Sequence, residues 1–148
     1  MVVLNAEPLG YSVKAIECWK QKGYTYKATA WDEILQQQIF DDVNILITRL
    51  AKKIDGRVLD KFPSLTHLVS ATTGHDHVDI TELDKRNIKL VSLRGQDEFL
   101  KTIPSTAEHT WALLLALLRK IPAANEHVKH GFWDRDRFRG YQLKGKTI

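Results

Sequence analysis

The segment at residues 70–79 contains the residue types best suited to holding an anion. It reads SATTGHDHVD, and its small side chains, with Gly74 near the centre, let backbone N–H groups approach a bound anion closely. Thr72 and Thr73 stand directly before the glycine, and Asp76 can brace the loop through hydrogen bonds to its backbone. The same composition is typical of a tight turn in which glycine adopts a positive φ, and the residues alone leave both interpretations open.

Arg49 is the second candidate for anion binding, because it follows the strongest strand pattern of the chain. Residues 43–48 read VNILIT, which is typical of a buried strand, so Arg49 is expected at the carboxyl end of that strand. A guanidinium in this position can hold a carboxylate or a phosphate through two parallel hydrogen bonds. An ion pair at the surface is the competing interpretation.

The same loop carries residues that could bind a metal. His75, Asp76, His77 and Asp79 are of the types that bind zinc or iron. Asp79, however, has the capping-box spacing with Glu82, and both histidines cannot face inward if Asp76 braces the loop. We therefore predict no metal site. The sequence also contains no GxGxxG, Walker, HExxH or GxSxG motif.

Five short apolar segments, alternating with helical or turn segments, must position these residues. The predicted strands are residues 2–4, 24–26, 43–48, 67–70 and 88–93, and the predicted helices are 13–22, 32–39, 55–61 and 79–86. Strands that alternate with helices imply right-handed crossovers and a parallel sheet. The expected fold is α/β, with a flavodoxin-like five-stranded parallel sheet and helices on both faces. Ligands bind beyond the carboxyl ends of such strands, where Arg49 and the 70–79 loop stand.

A long helix is predicted after this domain. Ser105 and Glu108 have the spacing of a capping box, and residues 111–118 are apolar on every side. Such a helix should be buried all round, but a domain of 93 residues cannot easily cover both of its sides. The helix therefore needs a second domain, a second subunit, or both.

Composition excludes several classes of protein. The chain has 148 residues, of which 43% are apolar and 27% charged, as expected of a globular protein. Cys18 is the single cysteine, so no internal disulfide can form; it is predicted to be a core thiol, and a cytoplasmic location fits. The longest apolar run is far shorter than the ~20 residues of a membrane span, and no signal peptide is recognisable.

Basic charge is concentrated near the end of the chain. Residues 119–148 carry 8 Lys or Arg and 3 Asp or Glu, interleaved with aromatic residues that could serve a nucleic-acid interface. The alternation of acidic and basic side chains at 134–137 cancels the field that such binding requires. We predict neither a nucleic-acid nor a membrane partner.

Several segments, taken in order, resemble the D-isomer-specific 2-hydroxyacid dehydrogenases, and in particular their phosphoglycerate dehydrogenase branch. They are residues 73–79 (TGHDHVD), 87–91 (NIKLV) and 105–111 (STAEHTW), followed by a closing stretch from Gly131 to Ile148. The closing stretch is similar to the one just before that family's dinucleotide-binding fingerprint. The resemblance covers nearly the whole chain, loosely at the start and closely from Val43 onward.

This resemblance implies a two-domain, NAD-dependent oxidoreductase that acts on the CH–OH group of D-2-hydroxy acids. Residues 1–100 are then the first part of the substrate domain, and residues 101–148 are a long linker helix and the start of a Rossmann domain. The resemblance implies that the amides at Thr73 and Gly74 hold the substrate carboxylate and that Arg49 grips the substrate. It places Ser105 and Thr106 near the nicotinamide and makes residues 104–131 a homodimer contact.

The resemblance also implies what these 148 residues lack. The family's fingerprint and its catalytic arginine, glutamate and histidine all lie beyond the stretch that matches Ile148. We therefore expect a truncated chain with no catalytic residue and no activity alone. One alternative is a free-standing flavodoxin-like module that binds or dimerises without catalysis. Another is a phosphoacceptor receiver domain, which would need an acidic cluster where the chain offers Asn5 and a single Glu7.

Overall fold

A computed structural model describes residues 1–36 and 39–147. The chain divides into two compact units, Met1–Asp97 and Glu98–Ile148. The strands of the first unit are β1 (Val2–Asn5), β2 (Thr25–Ala28), β3 (Val43–Thr48), β4 (His67–Ser70) and β5 (Lys89–Ser92). Its helices are α1 (Val13–Gln21), α2 (Trp31–Gln36), α3 (Gly56–Leu59) and α4 (Ile80–Lys85), and α5 (Asp97–Leu100) spans the boundary between the units.

The five strands form one parallel sheet in the order β2-β1-β3-β4-β5, which confirms the flavodoxin-like prediction. Thr48 pairs with Ser70, and Ser70 pairs with Ser92, so the carboxyl ends of β3, β4 and β5 finish level with one another. The loops that leave these three strands therefore start from the same edge of the sheet.

Apolar side chains cover both faces of the sheet, as predicted. The larger cluster joins strand residues such as Leu46 and Leu68 to α2, α3 and α4. The smaller cluster holds Val3, Ile45 and Ile47, with Trp19 of α1 packed against it. Because β3 contributes to both clusters, its sequence is apolar almost throughout, as is typical of a central parallel strand.

Two local predictions about the helices of the first unit can be compared with the structure. The Asp79 carboxylate accepts a hydrogen bond from the Glu82 amide at 3.1 Å, so the predicted cap of α4 is confirmed. Cys18 is exposed, and the prediction of a core thiol is wrong. Trp19 packs towards the sheet, and Cys18 lies about 100° around α1 from it. Residues 37 and 38, within the helix predicted to end at 39, lie outside the described part of the chain.

A 3₁₀-helix covers Asp136–Phe138 of the second unit, and two α-helices stand where one long linker helix was expected. They are α6 (Ser105–Leu118) and α7 (Ile121–Lys129), separated at Lys120, which adopts a left-handed conformation with φ 53°. Pro122 explains the break. A proline has no N–H to donate to the carbonyl group four residues earlier, and the proline ring would clash with that carbonyl group. That carbonyl, on Leu118, instead accepts from the Tyr141 amide at 3.1 Å.

The start of α6 also differs from the prediction. The residue before the helix is Pro104, which already has helical dihedral angles and forms no side-chain cap. Ser105 therefore lies inside the first turn and cannot serve as the capping residue of a Ser105–Glu108 box. The cause is again a proline, since its fixed φ suits a helix start without a hydroxyl cap.

Among the described residues, much of the apolar surface of α6 is left exposed. None of the residues of α6 is buried, and Trp111 and Leu117 are 50% and 76% exposed. The predicted all-round burial is thus not provided by the described residues. None of the helices described is long and apolar enough to cross a lipid bilayer.

Candidate functional site

The sheet order creates a crevice between β1 and β3. The chain leaves β1 towards one edge of the sheet and β3 towards the other, and ligands of open α/β sheets bind at such a switch point. A cavity of about 600 Å³ lies there. Its walls come from the loop after β1, the start of α2 and the loop after β3, with Glu7, Trp31, Arg49 and Lys52 among the lining residues. We call it the switch-point cavity.

Glu7 connects the three walls of this cavity. Its Oε1 accepts hydrogen bonds from the Arg49 amide at 2.8 Å and from the Thr48 hydroxyl at 2.9 Å. The same oxygen accepts from Trp31 Nε1 at 3.2 Å and from the Ala51 amide at 3.3 Å. Burial alone would raise the pKa of Glu7, but these hydrogen bonds outweigh it and hold the pKa below its ordinary value. The carboxylate is therefore ionised at neutral pH.

No sequence motif indicates that Glu7 is a site residue. Its partners lie 24 to 44 positions away in the chain, so no local motif contains them. The available signal was its place two residues beyond the end of β1, at the edge of the sheet where ligands bind.

Arg49 is exposed and lines the switch-point cavity, as its place at the end of β3 predicted. Its Nη1 donates to the Leu9 carbonyl at 3.4 Å. Among the described residues it forms no ion pair, so the competing surface ion-pair interpretation finds no support. Lys52 lines the same cavity and is half-buried, which adds a second cation.

Side chains of the 70–79 loop hold it to the sheet. The Ser70 hydroxyl contacts Thr72 Oγ1 at 2.7 Å and His77 Nε2 at 3.2 Å, and Thr72 donates to the Gly74 carbonyl at 2.9 Å. His75 Nε2 contacts Ser92 Oγ at 2.8 Å. The brace expected from Asp76 is thus supplied by Thr72. Within the described residues, no group of three or more His, Cys, Asp or Glu side chains could hold a metal ion.

The backbone N–H groups of Thr73 and Gly74 are available to a ligand. The amides of both residues donate to no acceptor among the described residues. Gly74 does not adopt a positive φ, and a Cβ built on it would meet only Asp76 Oδ2, at 3.9 Å. The interpretation of Gly74 as a turn residue that requires positive φ is therefore wrong. Two such amides beside an unobstructed glycine can donate hydrogen bonds to a carboxylate.

Arg49 and the Thr72–Gly74 segment lie at the same edge of the sheet but in different surroundings. Thr48 and Ser70 are paired in neighbouring strands, which are about 4.8 Å apart, so the two loops leave the sheet side by side. Arg49 shares the switch-point cavity with Glu7, whereas residues 72–74 do not line it. The two predicted anion-binding elements thus start from adjacent strand ends, and of the two only Arg49 lines the switch-point cavity.

Ser105 and Thr106, predicted near the nicotinamide of NAD, occupy the first turn of α6 in the second unit. Both residues are exposed, and the Thr106 carbonyl accepts from the Thr110 hydroxyl at 2.8 Å. The helix start that carries these hydroxyls has no side-chain cap.

Comparison with known sequences identifies close relatives of the chain. The family model of the D-isomer specific 2-hydroxyacid dehydrogenase catalytic domain matches residues 3–132. The chain is 33% identical to the D-3-phosphoglycerate dehydrogenase of Archaeoglobus fulgidus, over 99% of this chain and 27% of that protein. It is 32% identical to the glyoxylate reductase of Thermococcus litoralis, over 90% of this chain and 39% of that protein. The chain thus spans well under half the length of these curated relatives.

Solved structures agree on the fold. A protein from Thermus thermophilus matches with a TM-score of 0.76 at 24% identity, over 98% of this chain and 46% of that one. The D-lactate dehydrogenase of Aquifex aeolicus matches with a TM-score of 0.71 at 19% identity, over 97% of this chain and 41% of that one. At these identities the likeness establishes the fold alone.

Proposed function

The chain belongs to the D-isomer-specific 2-hydroxyacid dehydrogenase family, and from this membership we propose that it supplies the substrate-holding part of an NAD-dependent oxidoreductase. The reaction is hydride exchange between NAD and the CH–OH group of a D-2-hydroxy acid. In this proposal residues 1–100 form the substrate domain, and residues 101–148 form the linker and the approach to the NAD-binding domain. A reducing, cytoplasmic setting suits its single, exposed cysteine.

One observation supports the proposal above the others: the amides of Thr73 and Gly74, which lack an acceptor among the described residues, follow the carboxyl end of β4, and Arg49 follows the end of the adjacent strand β3. A substrate carboxylate would accept hydrogen bonds from both amides. Such hydrogen bonds are strengthened by the charge of the carboxylate. The Arg49 guanidinium would then hold the oxygen functions at the other end of a short hydroxy acid or keto acid. The Thr72 hydroxyl, which donates to the Gly74 carbonyl, stabilises the conformation of the loop.

NAD, when bound, supplies or accepts the hydride, and Ser105 and Thr106 are the residues of this chain that we propose contact it. Hydride transfer also needs a proton donor or acceptor at the substrate hydroxyl. We assign none of the described residues to that role. The 148-residue chain alone is therefore expected to bind the acid without converting it.

A Gly74→Ala variant is expected to weaken binding of D-glycerate, a short 2-hydroxy acid, by about tenfold, the worth of one charge-assisted hydrogen bond. The added methyl group narrows the approach to the two amides. It should leave the free energy of unfolding unchanged or slightly increased, because Gly74 has no positive φ and its Cβ would have room. Isothermal titration calorimetry and urea unfolding measure the two quantities.

Gly23→Ala is the matched control for this variant. Gly23 has φ 80° at the end of α1, so alanine there should cost about 1 kcal/mol of stability while leaving D-glycerate binding unchanged. If Gly74→Ala binds D-glycerate as tightly as the unmodified chain, the proposed carboxylate site is wrong. The alternative of a free-standing module without catalysis predicts no D-glycerate binding in either protein.

We further propose that residues 104–131 form a homodimer contact. The support is the uncovered apolar surface of α6, since monomeric proteins rarely leave large contiguous apolar patches in water. In a two-fold contact each protomer uses the same surface. A second copy of the chain would therefore bury Trp111 and Leu117 of both protomers.

A further inference from the structure

We propose that Glu7 is a positioning residue, which fixes the loop after β3 and thereby presents the Arg49 guanidinium at the switch-point cavity. The inference rests on the proposed function, in which Arg49 grips the substrate. Glu7 itself does not touch substrate in this account. It acts on Arg49 from the loop after β1, the strand next to β3.

The loop after β3 depends on Glu7 for its backbone hydrogen bonds. Within the described residues, no backbone–backbone hydrogen bond engages the amides of residues 49–53. The amides of Arg49 and Ala51 both donate to the Glu7 carboxylate instead. An exposed loop with so few backbone contacts would otherwise sample several conformations.

The loop that carries Glu7 holds both ends of Arg49. Glu7 Oε1 binds its amide at 2.8 Å, and the Leu9 carbonyl, two residues further on, accepts from its Nη1 at 3.4 Å. Glu7 is in turn fixed by Trp31 and by the fully buried Thr48. A change in the Glu7 anchor is therefore transmitted to the guanidinium through the backbone of residue 49.

The charge arrangement fits a positioning role better than a binding role. Four donors already occupy Oε1, so this oxygen has no capacity left for a ligand. An anionic substrate would also be repelled by a carboxylate. The other charged groups lining the cavity are Asp32, Arg49 and Lys52, and the two cations balance the two acids before any ligand enters.

The lowered pKa of Glu7 determines how its contribution to folding stability depends on pH. The pKa of Glu7 lies below its ordinary value of 4.5, because its hydrogen bonds favour the carboxylate. The folded state therefore gains stability from Glu7 above pH 4.5, and this gain is lost as the pH falls through the lowered pKa. The Arg49 loop is expected to remain ordered down to pH values below 4.5.

Amide hydrogen exchange by NMR tests the positioning role without any ligand. Glu7→Gln keeps one acceptor oxygen but removes the negative charge that strengthens its hydrogen bonds. Exchange at Arg49 and Ala51 should therefore accelerate at least about tenfold, because a hydrogen bond to a charged acceptor contributes more than one to a neutral acceptor. Exchange in β4 and β5 should not change. Glu33→Gln, an exposed substitution on α2, is the matched control and should leave Arg49 and Ala51 unaffected. Unchanged exchange at these amides in Glu7→Gln would overturn the proposal.

A double-mutant cycle then tests whether Glu7 acts through Arg49. D-glycerate affinity should fall about fivefold in Glu7→Gln when Arg49 is present, and should not fall further in Glu7→Gln when Arg49 is replaced by alanine. Equal losses in both backgrounds would mean that Glu7 acts on the fold in general, which contradicts the proposal. If the unmodified chain binds no D-glycerate, the proposed function fails, and the exchange rates still decide the role of Glu7.

Discussion

A Leu117→Glu variant is expected to weaken self-association of the chain by at least about 100-fold, provided that residues 104–131 form the proposed homodimer contact. Leu117 is 76% exposed on α6, and burial of a leucine is worth about 1.5–3 kcal/mol. A two-fold contact loses this contribution twice and gains two unpaired buried carboxylates. Sedimentation equilibrium over a range of concentrations measures the change.

Val13→Glu is the matched control for this experiment. Val13 is also an exposed apolar helix residue, 68% accessible on α1, but it lies in the first unit and outside the proposed contact. Its replacement should leave the association constant unchanged. A monomeric unmodified chain at all concentrations would contradict the homodimer, and the apolar surface of α6 would then be assigned to another part of the protein.

Replacing Phe62 by alanine is expected to lower the free energy of unfolding of the first unit by about 3–5 kcal/mol. Phe62 is 2% exposed, and its ring stacks on Phe40 with the ring centroids 5.3 Å apart. It belongs to the cluster that joins α2, α3 and α4 to the sheet. The loss combines the transfer of the ring to water with the cavity that it leaves. Urea unfolding followed by circular dichroism measures it.

Phe99→Ala controls for the general effect of removing a phenyl ring. Phe99 is 53% exposed, so its loss should change the unfolding free energy by less than about 0.5 kcal/mol. A Phe62→Ala variant as stable as this control would mean that the larger cluster does not stabilise the sheet. The larger cluster would then not be what holds β3, and with it the loop of Arg49, in place.

The strands were predictable because their patterns are strong and local. The segments Val43–Thr48 and His67–Ser70 form strands with the predicted bounds, since β-branched and apolar residues fill them and turn residues flank them. The cap at Asp79 was predictable for the same reason, because its partner amide on Glu82 lies three residues away. The parallel order of the sheet then follows from the alternation of strands and helices.

Predictions failed where a proline or a distant partner decides the outcome. Pro122 divides the expected long helix, although the apolar pattern continues across it. The Leu118 carbonyl freed in this way is approached by Gly140, where a Cβ would come within 2.3 Å of the oxygen, so only glycine fits. No local pattern shows that Gly140 and Leu118 meet.

In the candidate site, too, some features could be predicted from the sequence and others depend on residues far apart in the chain. The place of Arg49 and of Thr72–Gly74 at the carboxyl edge of the sheet could be predicted, because strand order and direction determine it. The role of Glu7 could not, because its hydrogen bonds join residues from three separate segments. The functional assignment of Arg49, Thr72, Thr73, Gly74, Ser105 and Thr106 stays a prediction.

In the proposed function the amides of Thr73 and Gly74 hold the carboxylate of a 2-hydroxy acid, and Arg49 holds the oxygen functions at its other end. An NMR titration of the ¹⁵N-labelled chain with D-glycerate, compared with glycerol as the analogue without a carboxylate, tests it most directly. Saturable amide shifts are expected at Thr73, Gly74 and Arg49 with D-glycerate, and none are expected with glycerol. Shifts that are absent, or that occur only in the second unit, would contradict the proposed carboxylate site.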